Sequence, residues 1–169
     1  MIKILGRNIA RFVFLVLLQV LVLDHVHLWG FVNPYIFILF IILLPFETPG
    51  WLLLFFGFFL GLSIDIFNDT PGIHTSATVF MCFIRPAMLK LIAPREGYEP
   101  GTYPRLYYYG FNWFMKYSII MVLVHHSVYF FLEASGFDNL LNTLIKILAS
   151  GIFSLILIVL SQFLMYRKG

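Results

Sequence analysis

Apolar residues run along this chain in long blocks separated by short polar links, and six blocks can be drawn, over residues 9–28, 31–46, 51–67, 73–92, 111–132 and 140–166. A helix needs roughly 20 residues to cross about 30 Å of hydrocarbon. Blocks one, four, five and six have that length, and block three falls slightly short. Block two differs from the rest. Asn33 followed by Pro34 has the form of a helix N-cap and first-turn proline, and Pro45 closes the block. The uninterrupted helix it predicts is about eleven residues, which at 1.5 Å each reaches roughly halfway across. Three arrangements stay open for it: a tilted helix, a helix lengthened through residues 28–32, or a re-entrant segment.

Composition turns these blocks into membrane spans. The chain is 61% hydrophobic and 11% charged, with a mean hydropathy of +0.93. A soluble domain carries about 25% charged residues, so this chain could not cover its surface in water. The expected fold is an all-α integral membrane protein with six transmembrane helices, one polytopic domain over 1–169. The single Cys82 excludes an intramolecular disulfide and says nothing about redox compartment.

The net charge of +3 is informative by position rather than by sum. Lys3, Arg7 and Arg11 precede or open block one. Lys90, Arg95, Arg105 and Lys116 surround the link between blocks four and five, and Arg167 and Lys168 follow block six. The opposite links hold Asp24, Asp69, Glu133 and Asp138 without Lys or Arg. The positive-inside rule then places both termini and the 93–110 link in the cytoplasm. That needs an even number of crossings, so block two is expected to cross. The basic start could introduce a signal peptide. No small-residue cleavage site follows, and Asp24-His25-Val26-His27 is a poor one, so an uncleaved first helix is expected.

The 93–110 link is rich in Pro, Gly and Tyr. Its prolines and glycines forbid a long helix, and its tyrosines suit a headgroup layer. It reads either as an interfacial loop with Arg95 and Arg105 snorkelling, or as a docking surface for a cytoplasmic partner.

Polar residues inside the spans are the candidates for function. Gly57, Gly61 and Asp65 fall at i, i+4 and i+8, a stripe along which another backbone could approach. Asp65 ends that seam, either as an acid near water or as an acceptor for backbone amides of the turn around Pro71 and Gly72. His74, Thr78, Met81 and Arg85 share a face of block four. Arg85 precedes Pro86, where the helix should kink or end, and is expected to reach the cytoplasmic interface. In block six, Asn142, Lys146, Ser150 and Ser154 form a polar-and-small stripe. Lys146 should snorkel outward or pair with Asp65, Asp69 or Asp138. His126, Tyr129 and Glu133 share a face of block five beside His125. Neither these histidines nor His25 and His27 have a recognisable metal spacing. The chain has no G-x-S-x-G, no H-E-x-x-H and no Walker A loop, so no catalytic residue, cofactor or metal is expected.

These features resemble the rod shape-determining protein MreD family. The resemblance covers most of the chain: its size, its basic start, an early long helix and a short proline-led second helix. Its most specific part is Gly61-x-x-x-Asp65, followed after six residues by Gly72-Ile-His74 at the head of the fourth span. The tyrosine-rich loop and the paired histidines, His125 and His126, are not part of that pattern. The resemblance implies a non-enzymatic scaffold in the bacterial inner membrane. It would pair with MreC and link MreB filaments to peptidoglycan synthesis by RodA and a class B penicillin-binding protein. Gly57, Gly61, Asp65, Pro71, Gly72, His74, Arg85 and Lys146 would then be structural or interaction residues. Membrane lipid is an expected partner, nucleic acid is not, and pairing of two copies is left open. The family is also similar in fold to the S-components of energy-coupling-factor transporters. That supplies a rival, a small-molecule-binding membrane module with Asp65, His74 and Lys146 lining a pocket open to the outside. A helical membrane protein without a ligand is the third reading.

Overall fold

A computed structural model describes residues 2–25, 32–134 and 139–164. Asp138, His27, Arg167 and Lys168 lie outside the described residues, as do the side chains of Lys3 and Arg7. Among the described residues there is no β-strand ladder, and there are six α-helices: α1 (Ile2–Leu21), α2 (Leu39–Ile42), α3 (Gly50–Asn68), α4 (Ile73–Leu91), α5 (Leu106–Glu133) and α6 (Leu140–Leu164). Four stretches among them are long and apolar enough to cross a membrane: Asn8–His25, Gly50–Asn68, Leu106–Glu133 and Leu140–Leu164. α4 equals α3 at 19 residues, roughly 28 Å at 1.5 Å per residue. It carries His74, Arg85 and Lys90, and it is not one of the four.

The apolar perimeter explains the composition. Trp51, Phe55, Ile66 and Phe67 on α3, and Leu141, Leu148, Ile152 and Leu160 on α6, are exposed. Water would not tolerate so continuous an apolar surface, whereas hydrocarbon does. This is the architecture of a multi-pass membrane protein. α3 and α4 share the most extensive interface, α5 packs on α4, α6 packs on α5, and α1 lies against α3 and α2.

Helix ends follow local chemistry. Pro49 precedes α3 in an extended conformation, and α3 ends where Asp69 turns left-handed (φ 51°). Gly72 takes φ 83° and opens α4. Gly110, at φ 76°, breaks α5 near its start, so the regular part begins at Phe111, where the apolar pattern begins. Such φ values favour glycine because a Cβ would collide with the backbone. Pro86 lies inside α4, which neither ends nor restarts there but runs on to Leu91.

Block two departs from expectation. Residues 33–38 are not helical, and only Leu39–Ile42 forms a helix, four residues long. Asn33 and Pro34 therefore do not start a helix. The segment is instead the centre of the molecule: Phe37 to Leu44 are each at most 2% exposed. It begins beside the middle of α6, with Asn33 and Tyr35 at Ser150 and Ser154. It ends beside the lower part of α5 and α4, with Ile42 and Leu44 at Tyr117 and Arg85. His126 of α5 also meets Ser154; from His126 down to Tyr117, α5 itself travels roughly 14 Å. Residues 35–42 thus run inside the bundle alongside its helices, for roughly that distance.

Candidate functional site

Two constellations of polar side chains stand out, one at the α3–α4 turn and one around the interior segment. Both begin from the same constraint: backbone amides and carbonyls away from water must find partners within the protein.

At the turn, the first amides of α4 have no partner within their own helix. Gly72 occupies the N-cap and has no side chain to offer. Asp65, buried on the preceding helix, fills that role from a distance. Its Oδ1 accepts the His74 amide at 3.0 Å and the Thr70 hydroxyl at 2.7 Å. Its Oδ2 accepts the Thr75 amide at 2.9 Å and the Thr75 hydroxyl at 2.6 Å. A carboxylate at a helix N-terminus also meets the positive end of the helix dipole. The amides held are those of His74 and Thr75, beyond the Pro71–Gly72 pair itself, whose role is to turn the chain.

The glycine stripe belongs to the same joint. A Cβ on Gly61 would collide with the Thr75 Cα and would lie 2.7 Å from the Thr75 amide nitrogen and 2.8 Å from the His74 carbonyl. A Cβ on Gly57 would lie 2.6 Å from the Cys82 Sγ. The two helices therefore touch backbone to backbone at Gly61, directly above the Asp65 clamp, as small residues permit in a membrane.

Around the interior segment, side chains from four helices serve its backbone. Gln19 of α1 accepts the Ile36 amide at 2.9 Å and donates to the Pro34 carbonyl at 3.1 Å and to Asp24 at 2.7 Å. Ser150 and Ser154 of α6 accept the Asn33 and Tyr35 amides at 3.0 and 2.8 Å. Arg85, fully buried, donates to the Leu44 carbonyl and, through Nε, to the Tyr117 hydroxyl at 2.8 Å. Tyr117 in turn donates to the Ile42 carbonyl at 3.3 Å.

Arg85 therefore does not reach the cytoplasmic interface. The reason is that α2 stops after one turn, leaving carbonyls at its end that only a long donor can reach. Lys146 takes a partner that was not expected. It pairs with Glu133 at 3.0 Å, with the two side chains 38% and 31% exposed, rather than with Asp65 or Asp69. Asp65 and Lys146 are thus committed to separate partners, and His74, whose amide Asp65 holds, has its ring between aromatic rings, 4.4 Å from Tyr129 and 5.1 Å from Tyr35. His126 donates from Nδ1 to the Val122 carbonyl (2.9 Å), and its Nε2 meets the Ser154 hydroxyl (3.0 Å). Among the described residues no cluster of His, Cys, Asp or Glu has the arrangement of a metal site.

The 93–110 link is largely exposed and is tied to the neighbouring helices by its aromatic residues. Tyr98 donates to the Leu89 carbonyl at 2.7 Å and stacks on Phe46 at 4.1 Å. Trp113 donates to the Ile92 carbonyl at 3.0 Å. Burial pushes the Tyr98 phenol up to about 12. Arg105 lies 5.4 Å from the Tyr103 ring, and Tyr107 and Tyr108 are exposed.

Gln19, Tyr117 and Ser154 were not singled out by sequence as partners of a buried backbone. Gln19 carried a signal: it is the one polar side chain between Arg11 and Asp24. Ser154 lay in the polar-and-small stripe of block six; Tyr117 had no signal, since its role depends on a neighbour that the periodicity makes a helix. No protein-family model matches the chain, and no curated protein or solved structure matches it.

Proposed function

We propose that this protein is a non-enzymatic membrane scaffold of the MreD type, which its sequence resembles, pairing with an MreC-like protein in a bacterial inner membrane. It would thereby couple cytoplasmic filaments to the peptidoglycan-synthesis machinery. One observation carries the preference over a solute-binding module: the centre of the bundle is filled by the chain's own residues 35–44. Residues offered for a ligand pocket support the same preference. Asp65 is saturated by turn donors, and Lys146 is paired with Glu133. A joint fixed by backbone contact and a four-bond carboxylate clamp suits a part that must present one shape to a partner.

In this reading the interior segment is the second of six crossings, made largely without helix, and both termini are cytoplasmic. The test is affinity purification in mild detergent with mass spectrometry of what co-purifies. Stoichiometric recovery of an MreC-like bitopic protein is expected. Recovery instead of an ATPase-bearing transporter module, or of a tightly held vitamin, would replace the scaffold with the S-component reading. A periplasm-active phosphatase fused behind Gly169 should be inactive, and an active fusion would remove the proposed topology.

A further inference from the structure

His125 is fully buried in the centre of the bundle, and neither of its ring nitrogens has a hydrogen-bond partner among the described residues. The Nδ1 of His74, a residue 1% exposed, is in the same position. The neighbouring His126 has both nitrogens engaged. His74 and His125 flank the same two rings. Tyr35 is 5.1 Å from His74 and 5.9 Å from His125, and Phe37 is 5.7 and 5.4 Å from them.

A neutral imidazole carries one donor and one acceptor. Buried polar atoms left without protein partners are commonly bridged by ordered water, which needs two to four polar neighbours. We propose that His74 and His125 form a binding site for internal water within the helical bundle, closed by Tyr35 and Tyr129. Tyr129 lies 4.9 Å from Tyr35, and its hydroxyl meets Glu133 at 3.4 Å. Glu133 is partly exposed beside Lys146, so this column of side chains leads from the site to the exposed end of α5.

The site is tested on the full chain, labelled with 15N-histidine and reconstituted in lipid bilayers. Magic-angle-spinning NMR should give a cross-peak between a His125 ring nitrogen and water, with the His126 ring as the internal reference. His125→Leu, which removes the groups that hold the water, should melt at a lower temperature than the wild type. A resolved His125 ring without a water cross-peak overturns the proposal, and so does a His125→Leu variant that melts higher, since removing a dry unpaired imidazole relieves its burial. If the variant does not fold, the cross-peak on the unmodified protein decides.

Discussion

Replacing glycines with alanine one at a time tests the α3–α4 joint with an internal scale. In a helix the exchange gains about 1 kcal/mol of propensity, and overpacking costs typically 1–3 kcal/mol. The structure says where each term wins. At Gly61 the new methyl would strike the Thr75 Cα, its amide nitrogen and the His74 carbonyl. These are backbone atoms, held in turn by Asp65, so they cannot move aside cheaply. The overpacking term should take its upper value there, a net loss of about 2 kcal/mol. At Gly57 the closest atom is the Cys82 Sγ at 2.6 Å, a side-chain end that can rotate, with the Thr78 carbonyl at 3.3 Å; the two terms should nearly cancel. At Gly151 the methyl would meet only Val122 Cγ1, at an ordinary 3.5 Å, so propensity should win and the variant gain up to about 1 kcal/mol. Gly50, with nothing within 4 Å, is the neutral control. For a chain of this size 1 kcal/mol moves the melting temperature by about 2–4 °C, so Gly61→Ala and Gly151→Ala should differ by roughly 6–12 °C. Tryptophan fluorescence during heating in mild detergent measures it. If Gly61→Ala melts with or above Gly50→Ala, α3 and α4 are not in backbone contact there, and the joint described is wrong.

Asp65→Ala should cost about 3 kcal/mol or more, because charge-assisted hydrogen bonds contribute roughly 1.5–3 kcal/mol each. Asp65→Asn keeps one acceptor and turns an NH2 toward either the His74 or the Thr75 amide, so it should lose about half as much; equal melting of the two variants would refute the clamp. Ser154→Ala leaves the Tyr35 amide and one His126 nitrogen unpaired and should cost about 1–3 kcal/mol. Ser63→Ala, whose exposed hydroxyl only returns to the Phe59 carbonyl, should cost almost nothing in the same assay. Glu133→Gln should cost less than about 1 kcal/mol, since the pair with Lys146 is partly exposed; a larger loss would mean that the pair is shielded. Tyr98 adds a pH dependence: its phenol is held neutral to about 12. Its contribution to stability is therefore complete below the free phenol value near 10 and is lost as pH rises from there through the folded value. Alkaline ultraviolet titration should show a late step that Tyr98→Phe removes.

Much of the helical frame is visible in the sequence because lipid leaves few alternatives. A long apolar run must satisfy its own backbone, and an α-helix does so without neighbours. The runs at 51–67, 73–92, 111–132 and 140–166 accordingly match α3 to α6 within a few residues, apart from the short turn ahead of Gly110. The same logic fails at residues 33–44. Those residues satisfy only part of their own backbone; Gln19, Ser150, Ser154, Tyr117 and Arg85 supply further partners from sequence distances of 15 to 119 residues. Periodicity registers only which side chains are apolar, and Phe37 to Leu44 are apolar in either conformation. The error then propagates. With block two taken as a helix, Arg85 has no buried carbonyl to serve and is sent to the interface. The Asp65 stripe was legible because its two parts, glycine spacing and an acid before a turn, are local. Which amides the acid would hold was not, since His74 and Thr75 come within reach only once Asp69 and Gly72 have turned left-handed.

The distribution of polar groups limits how another protein could recognise this one. Inside the bundle, the hydrogen-bonding side chains of α1, α4, α5 and α6 are turned toward the interior segment. Outward, α3 presents Trp51, Leu54, Phe55, Phe58 and Phe59, and α6 presents Leu148, Ile152, Ile156 and Leu160. A partner helix lying against these faces meets the same apolar chemistry as a lipid tail, so it gains nothing from hydrophobicity and must win on shape. Shape is what the joint at Gly61 and Asp65 fixes, because a rotation of α3 about that contact would carry its whole aromatic face with it. Among the described residues, polar recognition is offered at the ends: the turn at Asp69–Gly72 and the partly exposed Glu133–Lys146 pair, and the 93–110 link with exposed Tyr107 and Tyr108. A partner's specificity should therefore be sensitive to Gly61 and Asp65 even where it touches neither residue.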